Sequence, residues 1–164
     1  MEVINEKTII QALRELNKFG KGTTKEFDNG IKIVIAKDDE FNRKILESRK
    51  ADVLIFSNLF EKKDKLKQRD SGLNHVLCKI AKDNDVAIGI DFREFEKSEK
   101  LGGFESSSYL AKIMQNIKLC KKYKVKIIMV NIKRKNKIDF IGFLLSLGMT
   151  TDMAKYAVNN SIEI

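Results

Sequence analysis

Two kinds of apolar pattern alternate along the chain. Short runs rich in β-branched residues occur at Ile31–Ala36, Val53–Phe56, Val86–Ile90 and Lys126–Val130. Each is nearly continuous in apolar residues, as strands buried on both faces are. Between them, apolar positions recur at helical spacing. Glu6–Phe19 carries Ile9, Ile10, Leu13 and Leu16. Asp38–Ser48 carries Phe41, Ile45 and Leu46. Ser71–Ala81 carries Leu73, Val76, Leu77, Ile80 and Ala81. Ser106–Tyr123 carries Leu110, Ile113, Met114 and Ile117. Two more helices are predicted at Lys137–Leu147 and Thr151–Val158. Gly20, Gly22 and Gly30 mark loops near the N-terminus, and Gly102-Gly103 forms a turn after an exposed charged loop. Gly148 reads as a helix C-terminal residue, with Thr150 or Thr151 capping the next helix.

Strands that alternate with helices need crossover connections, so residues 1–164 read as one α/β domain with a parallel sheet. A doubly wound sheet and a (β/α) barrel both fit. Four clear strands, or six with weaker ones at Glu2–Ile4 and Ser161–Ile164, are too few for a complete eight-stranded barrel.

Composition narrows the class. Of 164 residues, 43% are hydrophobic and 34% charged, which is a globular balance rather than a disordered one. The longest apolar stretch, Phe140 to Met149, is too short to span a bilayer. Met1–Lys7 lacks the charged-then-apolar layout of a signal peptide. A cytoplasmic protein without a membrane partner is expected. Cys78 and Cys120 fit neither a metal knuckle nor a redox pair by spacing, and each falls in a predicted helix as a small apolar filler.

Charge adds a direction. With 32 Lys and Arg against 23 Asp and Glu, the net charge is +9, which suits a polyanionic partner. From Ser106 to Ile138 there is no acidic residue, yet that window holds Lys112, Lys118, Lys121, Lys122, Lys124, Lys126, Lys133, Arg134, Lys135 and Lys137. A solvated structural face normally mixes signs, because like charges repel. A second cluster, Lys62, Lys63, Lys65, Lys67 and Arg69, immediately precedes a helix.

The chemistry of a hydrolase is thin. His75 is the single histidine, so neither a His-rich metal site nor a His-x-His pair can be built from the sequence. No nucleophile elbow, phosphate loop or dinucleotide fingerprint occurs. Asp52, Asp91 and Glu94 lie at strand edges, where a sheet enzyme could place acids, although capping or ion pairing is the commoner use of such residues. No catalytic residue and no metal ligand is assigned.

One motif is dense. Asp70-Ser71-Gly72 is read as a helix start, with Asp70 or Ser71 as N-cap and Gly72 allowing close approach of another chain. At 100° per residue, Leu73, Val76, Leu77 and Ile80 centre on one side. His75, Lys79 and Lys82, spaced i, i+4, i+7, fall opposite as a solvent-facing row. The periodicity argues against a core histidine; with Arg69, His75 becomes a candidate phosphate or ribose contact, the alternative being an ordinary surface histidine.

The run Lys67-Gln68-Arg69-Asp70-Ser71-Gly72-Leu73-Asn74-His75-Val76-Leu77-Cys78-Lys79-Ile80-Ala81 resembles the signature helix of the ribonuclease P protein component 3 family of archaea and eukaryotic nuclei. Lys50–Phe56 and Val86–Phe92 are similar to the flanking strands of that family. Ser106–Leu110 through Leu119–Val125 is similar to its long helix, and Leu147–Met149 with Met153-Ala154 to its C-terminal helix pair. The resemblance runs from about Arg43 to the C-terminus. It implies a TIM-barrel-like fold, related to metal-dependent phosphoesterases but without their metal site. An incomplete or N-terminally shortened barrel is expected here, because Met1–Asn42 is brief where the family carries extra β/α units.

The resemblance also implies an RNA-binding, non-catalytic subunit of ribonuclease P, the enzyme that removes the 5′ leader from precursor tRNA. The RNA subunit would perform the hydrolysis with RNA-bound magnesium, the protein binding no cofactor. Its partners would be ribonuclease P RNA, precursor tRNA and protein component 2. Lys62, Lys63, Lys67, Arg69, His75, Lys79, Lys121, Lys122, Lys124, Lys133, Arg134 and Lys135 are the expected RNA contacts. The alternative is a small β/α phosphoesterase using Asp91, Glu94 and His75. A basic membrane-surface protein is a third reading, disfavoured because the apolar helix faces are needed to cover a sheet.

Overall fold

The computed structural model describes residues 24–26 (backbone only), 30–57, 59, 61–132 and 136–164. The expected strand at Glu2–Ile4, the helix at Glu6–Phe19 and the loop glycines Gly20 and Gly22 lie outside these residues. In chain order the elements are β1 (Thr24–Glu26), β2 (Lys32–Ile35), α1 (Asp39–Ser48), β3 (Val53–Ile55), α2 (His75–Asp83) and β4 (Ala87–Asp91). There follow α3 (Phe92–Leu101), α4 (Gly103–Tyr123), β5 (Ile127–Val130), α5 (Lys137–Ser146) and α6 (Thr151–Asn159). No described helix is long and apolar enough to cross a membrane.

The sheet runs β1-β2-β3-β4-β5, in chain order. β1 pairs antiparallel with β2, and the other neighbours are parallel, with Val34 opposite Leu54, Leu54 opposite Ile88 and Ile88 opposite Ile127. A doubly wound sheet reverses its strand order at a switch point. Here each parallel strand is laid beside its predecessor, the winding of a (β/α) barrel, and the described strands form an arc of one.

Strand alternation divides the core in two. Val34, Leu54, Ile88, Ile127 and Met129 face the helices and join one large cluster with Leu46, Leu77, Ile113, Ile117 and Leu144. Ile33, Val53, Ile55, Ala87, Ile128 and Val130 form a second cluster on the opposite face, with Ile162 and Ile164 packed against it. The weak strand expected at Ser161–Ile164 is a single parallel bridge, Ile162 to Val130.

Helix starts follow local capping chemistry. The Asp38 carboxylate accepts the Phe41 N–H at 2.8 Å, and Thr150 Oγ1 accepts the Met153 N–H. Gly148, at φ +101°, ends the turn after α5, and the Met149 N–H donates to Leu144 O.

Residues 92–101, expected as an exposed charged loop, form α3. Asp91 caps it by accepting the Arg93 N–H at 3.0 Å. Its inward residues include Glu94 and Ser98 as well as the half-buried Phe92 and Phe95, so no apolar stripe marked it in the sequence. Phe92 meets Phe140 of α5 edge to face, and Phe95 packs tilted against Phe143.

Candidate nucleic-acid interface

The motif helix begins three to four residues later than its sequence suggests. The cap of α2 is Asn74, whose Oδ1 accepts the N–H groups of Val76 and Leu77, both at 3.0 Å. Asp70 and Ser71 instead belong to a loop. Asp70 Oδ1 accepts the Gly72 N–H at 2.8 Å, and its carboxylate pairs with the ammonium groups of Lys62 at 3.1 Å and Lys65 at 3.7 Å. Gly72 stands at φ +79°, and a Cβ there would lie 2.9 Å from the Phe56 ring. The close approach that requires glycine is therefore made by the chain's own β3 end, not by another chain.

The loop is tied at both ends. Asp64 Oδ1 accepts the Asp70 N–H at 3.0 Å, closing a turn in which the Gln68 N–H donates to Lys65 O. Beneath it, Lys112 of α4 is buried with its side chain 1% exposed. Its ammonium donates to Leu59 O at 2.8 Å and to Lys62 O, and lies 3.6 Å from Asp64 Oδ1. Lys112 thus leaves the acid-free series expected to face a polyanion. Lys126 leaves it too, paired with Asp85 at 2.7 Å.

These contacts set the local acid–base balance. The Asp70 N–H bond, joined by Lys112 and Arg69 nearby, holds the Asp64 carboxyl below its ordinary range despite the cost of desolvation. For Asp70, burial opposes ionisation, but the Gly72 N–H and the Lys62 and Lys65 ammonium groups outweigh it and its carboxyl is also held low. Both acids are anionic clasps inside a cationic loop.

The rotation of α2 also differs. Leu77, Cys78 and Ala81 are buried, whereas Val76, expected among the core residues, is 41% exposed. The buried arc is shifted towards Cys78 because α2 packs between α1 and α4. His75, Lys79 and Lys82 are exposed, as expected.

Two hollows meet at Arg69. One, of about 220 Å³, is lined by Asp39, Lys65, Arg69, Asp70, His75 and Gln115 among others, so both signs of charge face it. The second, of about 530 Å³, is lined by Arg69, Met114, Gln115, Lys118, Lys121 and Leu147 among others. Gln115 of α4 joins them, its Nε2 donating to Arg69 O at 3.1 Å. The fold thus brings Arg69, His75 and Lys121, three expected contacts from separate parts of the sequence, to adjoining surfaces.

The remaining expected contacts are dispersed or engaged. Lys63, Lys67, Lys79, Lys122 and Lys124 are exposed but line neither hollow, and Lys122 lies over the Tyr123 ring. Lys62 is held by Asp70. Lys133, Arg134 and Lys135 lie outside the described residues. Lys118, named only as part of the acid-free run, and Met114 also line the larger hollow and were not among the expected RNA contacts. Met114 was expected in the core, but it is 47% exposed. The row Met114, Lys118, Lys121, spaced i, i+4, i+7 on α4, was the available signal.

The alternative acid site does not assemble. Asp91 accepts from Arg93 Nη2 at 2.9 Å and from Asn131 Nδ2 at 2.9 Å. Glu94 is buried and bonded to Lys97 at 3.0 Å. His75 lines a hollow that neither acid touches. Among the described residues, no group of three or more His, Cys, Asp and Glu side chains could hold a metal ion.

Comparison with known proteins agrees with this picture. No protein-family model matches the chain. Ribonuclease P protein component 3 of Methanococcus maripaludis is 31% identical over 101 residues, covering 60% of this chain and 39% of that protein. The Methanosarcina acetivorans protein of the same name is 31% identical over 145 residues, covering 84% of this chain and 56% of its own. For Methanocaldococcus jannaschii the identity is 28% over 140 residues, covering 81% and 56%. A chain of an archaeal ribonuclease P solved by cryo-EM with mature tRNA superposes with a TM-score of 0.62 at 26% identity, covering 92% of this chain and 60% of that one. The chain spans roughly 40% to 56% of the length of these curated relatives. In sequence and in fold, over that span, it is a relative of the ribonuclease P protein component 3 family.

Proposed function

We propose that this chain is an RNA-binding subunit of an archaeal-type ribonuclease P, supporting RNA-catalysed removal of the 5′ leader from precursor tRNA without supplying a catalytic group. The observation that carries this reading is the basic surface around Arg69, where an acid-free hollow lined by Arg69, Lys118 and Lys121 adjoins a mixed-charge one that holds His75, in a protein similar to component 3. Such a face neutralises phosphates and can brace folded RNA. In this reading magnesium is held by the RNA, the protein partner is component 2, and the compartment is the cytoplasm.

Salt titration of binding to ribonuclease P RNA tests the proposal. Affinity should fall by several orders of magnitude between low and moderate salt if about six phosphates are neutralised. Arg69→Ala should reduce the slope by about one. A flat titration overturns the reading, as does cleavage of precursor tRNA by the RNA-free protein that Asp91→Ala abolishes.

A further inference from the structure

The larger hollow combines features that phosphate binding alone does not require. Arg69, Lys118 and Lys121 line it, and no acidic residue does. None of these three cations is in an ion pair among the described residues. Its floor is apolar, built by Ile117 and Leu147 with Met114 left 47% exposed. Its volume of about 530 Å³ is that of a small-ligand site, on the order of 300–1,000 Å³.

An occupant must therefore be anionic at its edges and apolar on one face. A paired duplex turns phosphates and sugars outward and keeps its base faces stacked inside, so it would seat charge on the apolar floor. A free phosphate would leave the floor wet. A nucleotide outside a helix offers both parts, because its base has an exposed π-face and its flanking phosphates lie to either side. Charge favours RNA over a typical protein surface, since Lys118 and Lys121, and Arg69 beyond what the nearby Asp64 offsets, would stand unneutralised against a mixed-sign partner.

We propose that this hollow is a site for an unpaired nucleotide of an RNA strand, with the base against Met114 and Leu147 and its phosphates on Arg69, Lys118 and Lys121. This rests on the RNA-binding reading and specifies what kind of RNA the face selects.

The test uses the full chain and two labelled RNA hairpins identical except for a two-nucleotide bulge, compared by fluorescence anisotropy at one salt concentration. The wild-type protein should bind the bulged hairpin about tenfold more tightly, the scale of one base contact. Met114→Glu places a carboxylate on the floor beside these cations and should erase that preference, weakening the bulged hairpin about tenfold more than the paired one. Met114→Ala should weaken the preference part-way. Melting curves check that both variants fold, as the exposure of Met114 leads one to expect.

Equal affinity of the wild type for both hairpins overturns the proposal and leaves the RNA-binding reading intact. So does equal weakening of both hairpins by Met114→Glu. Unchanged RNA binding by Met114→Glu, with loss of binding to component 2, makes the hollow a protein site and overturns the proposal. No binding of either hairpin or of ribonuclease P RNA overturns both readings.

Discussion

The buried ammonium of Lys112 lies 3.6 Å from the Asp64 carboxylate, linking α4 to a loop 48 positions earlier in the chain. Every polar partner of that ammonium, the Leu59 and Lys62 carbonyls and Asp64, belongs to the segment that leads to Arg69. One buried cation therefore anchors the exposed ones. Lys112→Met keeps most of the packing and removes the donor. Leaving buried acceptors unsatisfied costs about 1–3 kcal/mol. Amide hydrogen exchange should quicken across residues 61–70 and remain near wild type in β3, β4 and β5. Uniform loss of protection would mean that Lys112 holds up the whole domain.

Gly72→Ala should destabilise the protein. A left-handed backbone costs a residue with a Cβ about 1–2 kcal/mol. The new methyl would also stand 2.9 Å from the Phe56 ring. A lowered melting temperature is expected, and Phe56→Leu in the same chain should recover part of it by removing the ring. An unchanged melting temperature for Gly72→Ala would show that the loop does not keep this conformation.

Val76 and Leu77 separate the observed rotation of α2 from the one read from sequence. Leu77→Ala should cost about 2–5 kcal/mol, because Leu77 is buried. Val76→Ala should cost far less, its side chain being 41% exposed. His75→Ala should stay within about 0.5 kcal/mol of wild type, while weakening reconstituted precursor-tRNA cleavage at limiting magnesium. Denaturant titration of the three variants checks the order. Equal losses for Val76→Ala and Leu77→Ala would place the helix as the wheel alone places it.

Acid should open the basic loop before the sheet. Asp64 and Asp70 have carboxyl groups held below their ordinary range. The sign follows from linkage: a group depressed in the folded state stabilises it above its unfolded value, near 3.9 for Asp, and that contribution fades as pH falls through the folded value. Hydrogen exchange in residues 61–72 should therefore rise below about pH 4. Asp70→Asn should raise it at neutral pH and flatten the dependence. A loop equally protected at pH 3 and pH 7 would contradict the clasp.

The sequence by itself determined most of the element pattern from Ile31 onward, residues 92–101 and the start of α2 excepted. Strand cores and helix spacing depend on neighbours within a few residues, so the runs around Val34, Leu54, Ile88 and Ile128, the stripe of α1 and the spans of α4 and α6 could be read directly. The motif around Arg69 and His75 was also visible, as was the exposed row of His75, Lys79 and Lys82. Contacts between distant segments decided the rest. Barrel winding rather than double winding depends on which strand lies beside which, and local periodicity does not encode that. Residues 92–101 looked like an exposed loop because α3 buries Glu94 and Ser98 rather than an unbroken apolar stripe. Lys112 and Lys121 look alike in an acid-free run. Only the fold buries the first under carbonyl groups 53 and 50 positions away and sets the second in one hollow with Arg69. A cation's role is set by what it faces, and in this chain the facing residues come from other elements.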